Sequence, residues 1–146
     1  MNISINHGLY INASKEKVFE VISTPNGFNN WWTKGCKGKA EINTEFNFNF
    51  TNEYNWFAKV TKLIPNKEIE FSMTVCSENW ENTKFGFTIE EIEPYKVFLN
   101  FEHSNWESQN KEFQITSYCW AHLFLLLKNY IENNNVVPFE QRNDHL

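Results

Sequence analysis

Between Glu45 and His103 the chain sets apolar residues at every second position in five successive segments, and this alternation constrains the fold more than any other feature. Phe46, Phe48 and Phe50 alternate with Asn47 and Asn49, and Trp56, Ala58 and Val60 carry the pattern towards a turn at Pro65-Asn66. Ile69, Phe71 and Met73 alternate with Glu70, Ser72 and Thr74. Phe85, Phe87 and Ile89 alternate with Lys84, Gly86 and Thr88, and Leu99, Phe101 and His103 with Asn100 and Glu102. A period of two puts one side of each strand on a core and the other in water. Such half-buried strands belong to antiparallel sheets, because parallel strands are covered on both faces. Ile3, Ile5, His7, Leu9 and Ile11 add a strand at the N-terminus.

A sheet with one apolar face needs a cover, and two regions can provide it. Phe113, Ser117, Trp120, Phe124, Leu127 and Ile131 step by four, three, four, three, four. That is the stripe of an amphipathic helix facing a core; it predicts a helix from about Lys111 to Glu132, stopped by Asn133-Asn134-Asn135. Nearer the N-terminus, Ser14 suits the N-cap of a short helix burying Val18, Phe19, Val21 and Ile22. Thr24-Pro25 closes that helix and opens another with Pro at its first position, where Phe28, Trp31 and Trp32 share one face. The expected architecture is α+β: a curved antiparallel sheet of about six to seven strands wrapped around the long C-terminal helix. The two short helices fall between the first and second strands. At 146 residues the chain suits one domain, 1–146, with residues 136–146 expected to form a loose tail. The abundant asparagine reads as a compositional habit.

Charge and residue usage exclude several functions. A formal charge of −5 does not suit nucleic-acid binding, which draws on a basic surface. The only arginine is Arg142 and the only aspartate Asp144, both in the expected tail. A guanidinium clamp on phosphate is therefore nearly excluded, and a catalytic carboxylate in the body of the domain must be a glutamate. Cys36, Cys76 and Cys119 are odd in number and widely spaced, which reads as reduced thiols rather than disulfides or a metal site. Met1 to Tyr10 lack the basic and apolar regions of a leader. The apolar run Leu123 to Leu127 is too short to span a membrane. A soluble cytoplasmic protein follows, with no membrane insertion, no metal and no cofactor. Glycine-rich phosphate loops, GxSxG and HExxH are absent, so no complete catalytic motif supports an enzyme.

Aromatic residues reach 17% of the chain, with 14 Phe and 6 Trp. Strand and helix parity turns Phe48, Trp56, Phe71, Met73, Phe87, Phe101 and Trp120 inward. Such a set can form a solid core or line a pocket. His7 and His103 also face inward by parity, as ligand hydrogen-bonders, as a general base, or as imidazoles bonded to backbone or water. His122 falls off the buried stripe and is expected to be exposed; His145 is in the tail. Trp80, with Glu78 and Glu81, and Trp106, with Glu107, suit either a cavity mouth or a cover over the core. Glu90, Glu91 and Glu93 read as a solvated turn.

Several residues also recur in a known order: Ala13-Ser14 with Val18-Phe19, Trp31-Trp32, Phe46 to Phe50, Val60, and the Pro65 turn into Ile69 to Met73. Glu102-His103 with Trp106, then Trp120 with Leu123 and Leu127-Lys128, complete the series. Over nearly its whole length the chain resembles the homologues of the activator of heat-shock-protein-90 ATPase. These belong to the START-like (SRPBCC) superfamily with the helix-grip fold, which also holds the birch-pollen allergens and polyketide cyclases. Asn43-Thr44 departs from the family's glycine before its third strand, and Cys119-Trp120 from its Gly-Trp. The resemblance implies that the first and last strands pair. It also implies an apolar or aromatic small molecule held between sheet and helix. The expected walls are Trp32, Phe48, Trp56, Phe71, Met73, Phe87, Phe101, His103, Trp120 and Phe124. Two alternatives stand beside it, a cochaperone-like domain with a chaperone partner and a cyclase or aromatase-type enzyme.

Overall fold

The computed structural model describes residues 2–142; Asp144 and His145 lie outside them. Strand β1 (Ile3–Ile11) is followed by helices α1 (Lys15–Ser23) and α2 (Pro25–Asn29). Strands β2 (Gly35–Lys37), β3 (Glu45–Asn49), β4 (Asn55–Ile64), β5 (Glu68–Val75), β6 (Lys84–Glu93) and β7 (Lys96–Trp106) come next, and helix α3 (Lys111–Asn133) follows them. The seven strands form one curved antiparallel sheet in the order β1-β7-β6-β5-β4-β3-β2. First and last strands therefore pair, Ile5 opposite His103 and His7 opposite Phe101. Among the described residues no helix is long and apolar enough to cross a membrane.

Local chemistry sets the helix ends. The Lys17 amide donates to Ser14 Oγ at 3.2 Å, and the Gly27 amide to Thr24 Oγ1 at 3.0 Å, with Pro25 in the first turn of α2. Each cap satisfies an amide that the helix itself cannot. Trp31 and Trp32 lie just past the end of α2, yet both are buried with Phe28. The fold turns the alternation into two faces. Phe46, Phe48, Ile69, Phe71, Phe85 and Phe87 are buried beneath the helices. Asn47, Asn49 and Glu70 are half-buried rather than open to water, because they bond one another's neighbours. Asn47 Nδ2 donates to Asn55 Oδ1 at 2.8 Å and Glu70 accepts from Thr61 at 2.8 Å.

Asparagine is not mere habit. Among the described residues the non-glycine positions with positive φ are Asn43, Asn66, Asn82, Asn105 and Asn134. Asparagine tolerates the left-handed region better than other side chains, and here it takes turn, bulge and cap positions in a chain with only 5 glycines. Asn134, at φ 52, ends α3. Asn105, at φ 68, sits in a β-bulge. Ile3 pairs with Trp106 while Ile5 pairs with His103, so β7 carries one extra residue. The bulge turns both His103 and Trp106 to the core, their rings 4.9 Å apart.

Of the tail expected from residue 136, Val136, Pro138, Glu140 and Gln141 are exposed and Val137 and Phe139 half-buried, but one side chain, Arg142, is held in place. That side chain is buried and donates to the carbonyls of Val137 (2.8 Å), Thr33 (3.2 Å) and Asn29 (2.8 Å). His122, expected to be exposed, is half-buried with Nε2 2.7 Å from the Arg142 carbonyl. The one arginine thus anchors the C-terminal segment to the loop after α2.

Candidate functional site

The structure brings nine of the ten expected wall residues into the core: Trp32, Phe48, Phe71, Met73, Phe87, Phe101, His103, Trp120 and Phe124 are all buried. Their rings are in contact. Phe101 lies 4.5 Å from Trp120 and 4.8 Å from Phe124, and Trp32 lies 5.0 Å from both Phe48 and Trp120, all between ring centroids. Such spacings are those of packed aromatic pairs. Met73 also borders a surface hollow with Thr74, Val75, Cys76, Glu81 and Asn82. Trp56 stands apart, half-buried at the rim, its ring tilted against that of Trp80 at 4.6 Å. Trp80, on a 3-10 turn (Glu78–Trp80), covers His103 at 4.5 Å between rings. It is a cover over the core, whereas Trp106 is buried in the core itself.

The two inward histidines do not share an open space. Each bonds α3. His7 Nε2 lies 3.1 Å from the Ser117 carbonyl and 3.2 Å from its hydroxyl. One turn along, Trp120 Nε1 donates to His103 Nδ1 at 3.1 Å, and His103 Nε2 lies 2.9 Å from Thr83 Oγ1. Thr83 Oγ1 donates in turn to the Trp80 carbonyl at 2.6 Å. The indole can only donate and the carbonyl can only accept, so the chain has one direction. His103 is neutral, with its proton on Nε2. Burial pushes its pKa down to about 3. An imidazole held this way fixes the strand, helix and turn together. It has no free lone pair with which to act as a base.

Two features escaped strand and helix parity. The first is a second stripe on α3. Ile115, Tyr118 and Leu125 are more than half exposed, at 55%, 59% and 55%. They are three and seven residues apart and so share the face turned from the sheet. The fifteen residues from Phe113 to Leu127 contain no Asp, Glu, Lys or Arg. That absence was visible in the sequence, since a solvated helix face normally carries charge. The second is an open groove of about 570 Å³ on the outer face of the sheet, floored by Gly8 and Gly86. Its rim carries Glu70, Asn100 and Glu102. The buried thiol of Cys36, its pKa pushed up to about 12, is outside both.

Residues 12–132 match the family described as activator of Hsp90 ATPase homolog 1-like protein. Among solved structures, the Aha1 dimer from Colwellia psychrerythraea is 33% identical at a TM-score of 0.82, covering 91% of this chain and 98% of that one. A protein from Staphylococcus saprophyticus (16% identity, TM-score 0.77, 92% and 96% covered) shares the fold. So does CalU16 from Micromonospora echinospora (17%, 0.73, 97% and 83%). No curated protein matches. The fold accommodates either ligand binding or a cochaperone-like role. With its helix-grip architecture and the match over residues 12–132, the chain belongs to the activator of Hsp90 ATPase homolog 1-like family.

Proposed function

We propose that this chain is a protein-interaction domain of the cochaperone kind, engaging a chaperone through the outward face of α3. The observation that carries this reading is the uncharged stripe Ile115–Tyr118–Leu125, exposed on a helix whose other face is already buried. Exposed apolar surface of this sort marks contact sites, and tyrosine is among the residues enriched in binding hot spots. Family membership is consistent with a chaperone partner. The similar protein from Colwellia psychrerythraea is a dimer, which supports protein contact as a use of this fold and makes self-association a separate quantity to measure. The packed interior favours an outer surface over an internal cavity.

The test is the ATP turnover of an Hsp90-class chaperone with and without the chain. Wild type is expected to bind and to raise turnover, while a Tyr118→Glu/Leu125→Glu variant folds normally and does neither. Unchanged turnover together with no calorimetric binding would remove the reading. Equal binding by the variant would move the contact elsewhere.

A second reading keeps the expected wall residues as a ligand site. Trp106 Nε1 is buried without an acceptor among the described residues, beside His103; an unpaired buried donor calls for an explanation. An apolar ligand carrying one acceptor would meet it if Trp80 moved aside, among Trp56, Met73, Phe101, His103 and Trp120. Saturable quenching of tryptophan emission by a fluorescent apolar probe, lost in Trp106→Phe for acceptor-bearing probes alone, is the expected result. Flat titrations would leave the interior as core.

A further inference from the structure

We infer that the groove on the outer face of the sheet is a binding site for an organic cation, an ammonium or guanidinium group. It lies on the other side of the sheet from the aromatic core. Apart from His7, Ile69, Phe87 and Phe101, whose side chains face the core, its lining residues are the outward alternates of β1, β7, β6, β5 and β4. Across the strands Asn6 stands opposite Glu102, Glu102 opposite Gly86, Gly86 opposite Glu70, and Glu70 opposite Lys62. In the neighbouring row Gly8 faces Asn100, and Asn100 faces Thr88.

Two glycines in strand interiors weaken a sheet, and they often mark a place where another group approaches closely. Neither has room for a side chain. A Cβ at Gly86 would stand 2.9 Å from the Ile69 carbonyl oxygen, and one at Gly8 only 2.6 Å from the Phe98 ring. The bare backbone between Glu102 and Glu70 keeps the groove open, and Phe98 forms an aromatic wall over Gly8.

The charges do not cancel. Lys62 and Lys84 both approach the same Glu70 oxygen, at 4.0 and 3.7 Å. Three carboxylates, those of Glu68, Glu70 and Glu102, thus face two ammonium groups already gathered on one of them. The Glu102 carboxylate has neither an ion pair nor a hydrogen bond among the described residues. Carboxylates beside amide oxygens and an aromatic face are the chemistry that receives ammonium and guanidinium groups.

Ser104 provides the independent sign of a ligand. It lines the groove on the side of β7 opposite His103, is only 1% exposed, and its Oγ has no hydrogen-bond partner among the described residues. Buried hydroxyls are normally bonded. A cation whose N–H groups reach past Glu102 would supply the missing bond, with Ser104 Oγ accepting. The outward face of α3 has no part in this groove, so Tyr118→Glu and Leu125→Glu leave it unaltered, and loss of chaperone binding does not bear on it.

The experiment is an amide-resolved NMR titration of the whole chain with arginine amide, with citrulline amide as control, both Nα-acetylated so that the control is uncharged and the guanidinium is the one cation tested. A blocked Gly-Arg-Gly peptide tests whether the same group is also accepted from a polypeptide. Arginine amide is expected to shift Asn6, Gly8, Gly86, Asn100 and Glu102 saturably, and citrulline amide is not. Glu102→Gln, an exposed and nearly isosteric change, should weaken binding about tenfold or more. Ser104→Ala should weaken it severalfold without loss of stability. Binding of the free cation alone points to a small molecule, and binding of the peptide as well points to a basic segment; either supports the site. No saturable shift in the groove, equal response to citrulline amide, or unchanged affinity in Glu102→Gln would overturn it.

Discussion

Helix α3 has two apolar faces that share one composition and meet different fates. Trp120, Phe124 and Leu127 are buried against the sheet, while Ile115, Tyr118 and Leu125 are exposed. Neither stripe contains a charge between Phe113 and Leu127. The inner face is held to the sheet by ring contacts such as Phe101–Trp120 at 4.5 Å and by the indole bond to His103. Beyond Leu127 the outer charges return. Lys128 Nζ reaches the Tyr10 carbonyl at 2.6 Å and Glu132 at 2.7 Å, and Glu132 also accepts from the Asn12 amide at 2.7 Å. The helix is thus pinned to β1 at its C-terminal end, while along its middle Ile115, Tyr118 and Leu125 stay exposed beside the contact of His122 with the Arg142 carbonyl. The difference shows that apolar spacing alone does not distinguish surface used for folding from surface left for a partner.

The widest gap between the faces should appear in stability. Phe124→Ala is expected to cost about 3–5 kcal/mol, as a core truncation that leaves a cavity, measured by chemical denaturation. A loss below roughly 1 kcal/mol, in the range of surface changes, would show that the two faces have been exchanged.

Acid tests the polar contact on the inner face. Burial holds His103 neutral in the folded state, with its pKa at about 3 against 6.5 for the free side chain. Unfolding releases it to take up a proton below pH 6.5, so the unfolded state gains with falling pH. Stability from this group is complete above about pH 6.5 and declines as pH falls towards 3, by about 1.4 kcal/mol per unit. Denaturation midpoints of wild type and His103→Gln between pH 7 and 4.5 should converge on acidification. Parallel curves would mean that His103 is hydrated.

Trp120→Phe keeps the ring and removes the indole donor. It leaves His103 Nδ1 unpaired in the core, an expected loss of about 1–3 kcal/mol by the same denaturation assay. A neutral outcome would make the Trp120–His103 bond incidental to packing. The smallest effect belongs to the outer face. Leu125→Ser should change stability by no more than about 0.5 kcal/mol while lowering affinity for the chaperone. A large loss of stability would instead make this stripe part of the fold.

Much of this was legible from short-range pattern. Phe48 and Phe71 read as inward because a period of two fixes which side of a strand a residue occupies. Ser14, Thr24 and Asn134 read as helix boundaries because capping chemistry is local. Trp106 was harder to place, since the bulge at Asn105 shifts parity only through its pairing with β1. Arg142 read as tail because no local pattern surrounds it; its carbonyl partners Thr33 and Asn29 lie more than a hundred residues away in sequence.

The candidate sites divide in the same way. Residue order by itself determined the antiparallel sheet, the long helix, the pairing of aromatic parity with one core and the family to which the chain is similar. These depend on periodicity, turn chemistry and order, which are properties of neighbours along the chain. Only the tertiary structure decided that the inward rings touch one another, that His103 is locked between Trp120 and Thr83, and that a second apolar stripe stays uncovered. It also decided that two glycines from distant strands share the floor of one groove. Each of these depends on what stands across the sheet or beside the helix, and packing in three dimensions settles that after local preference has been satisfied.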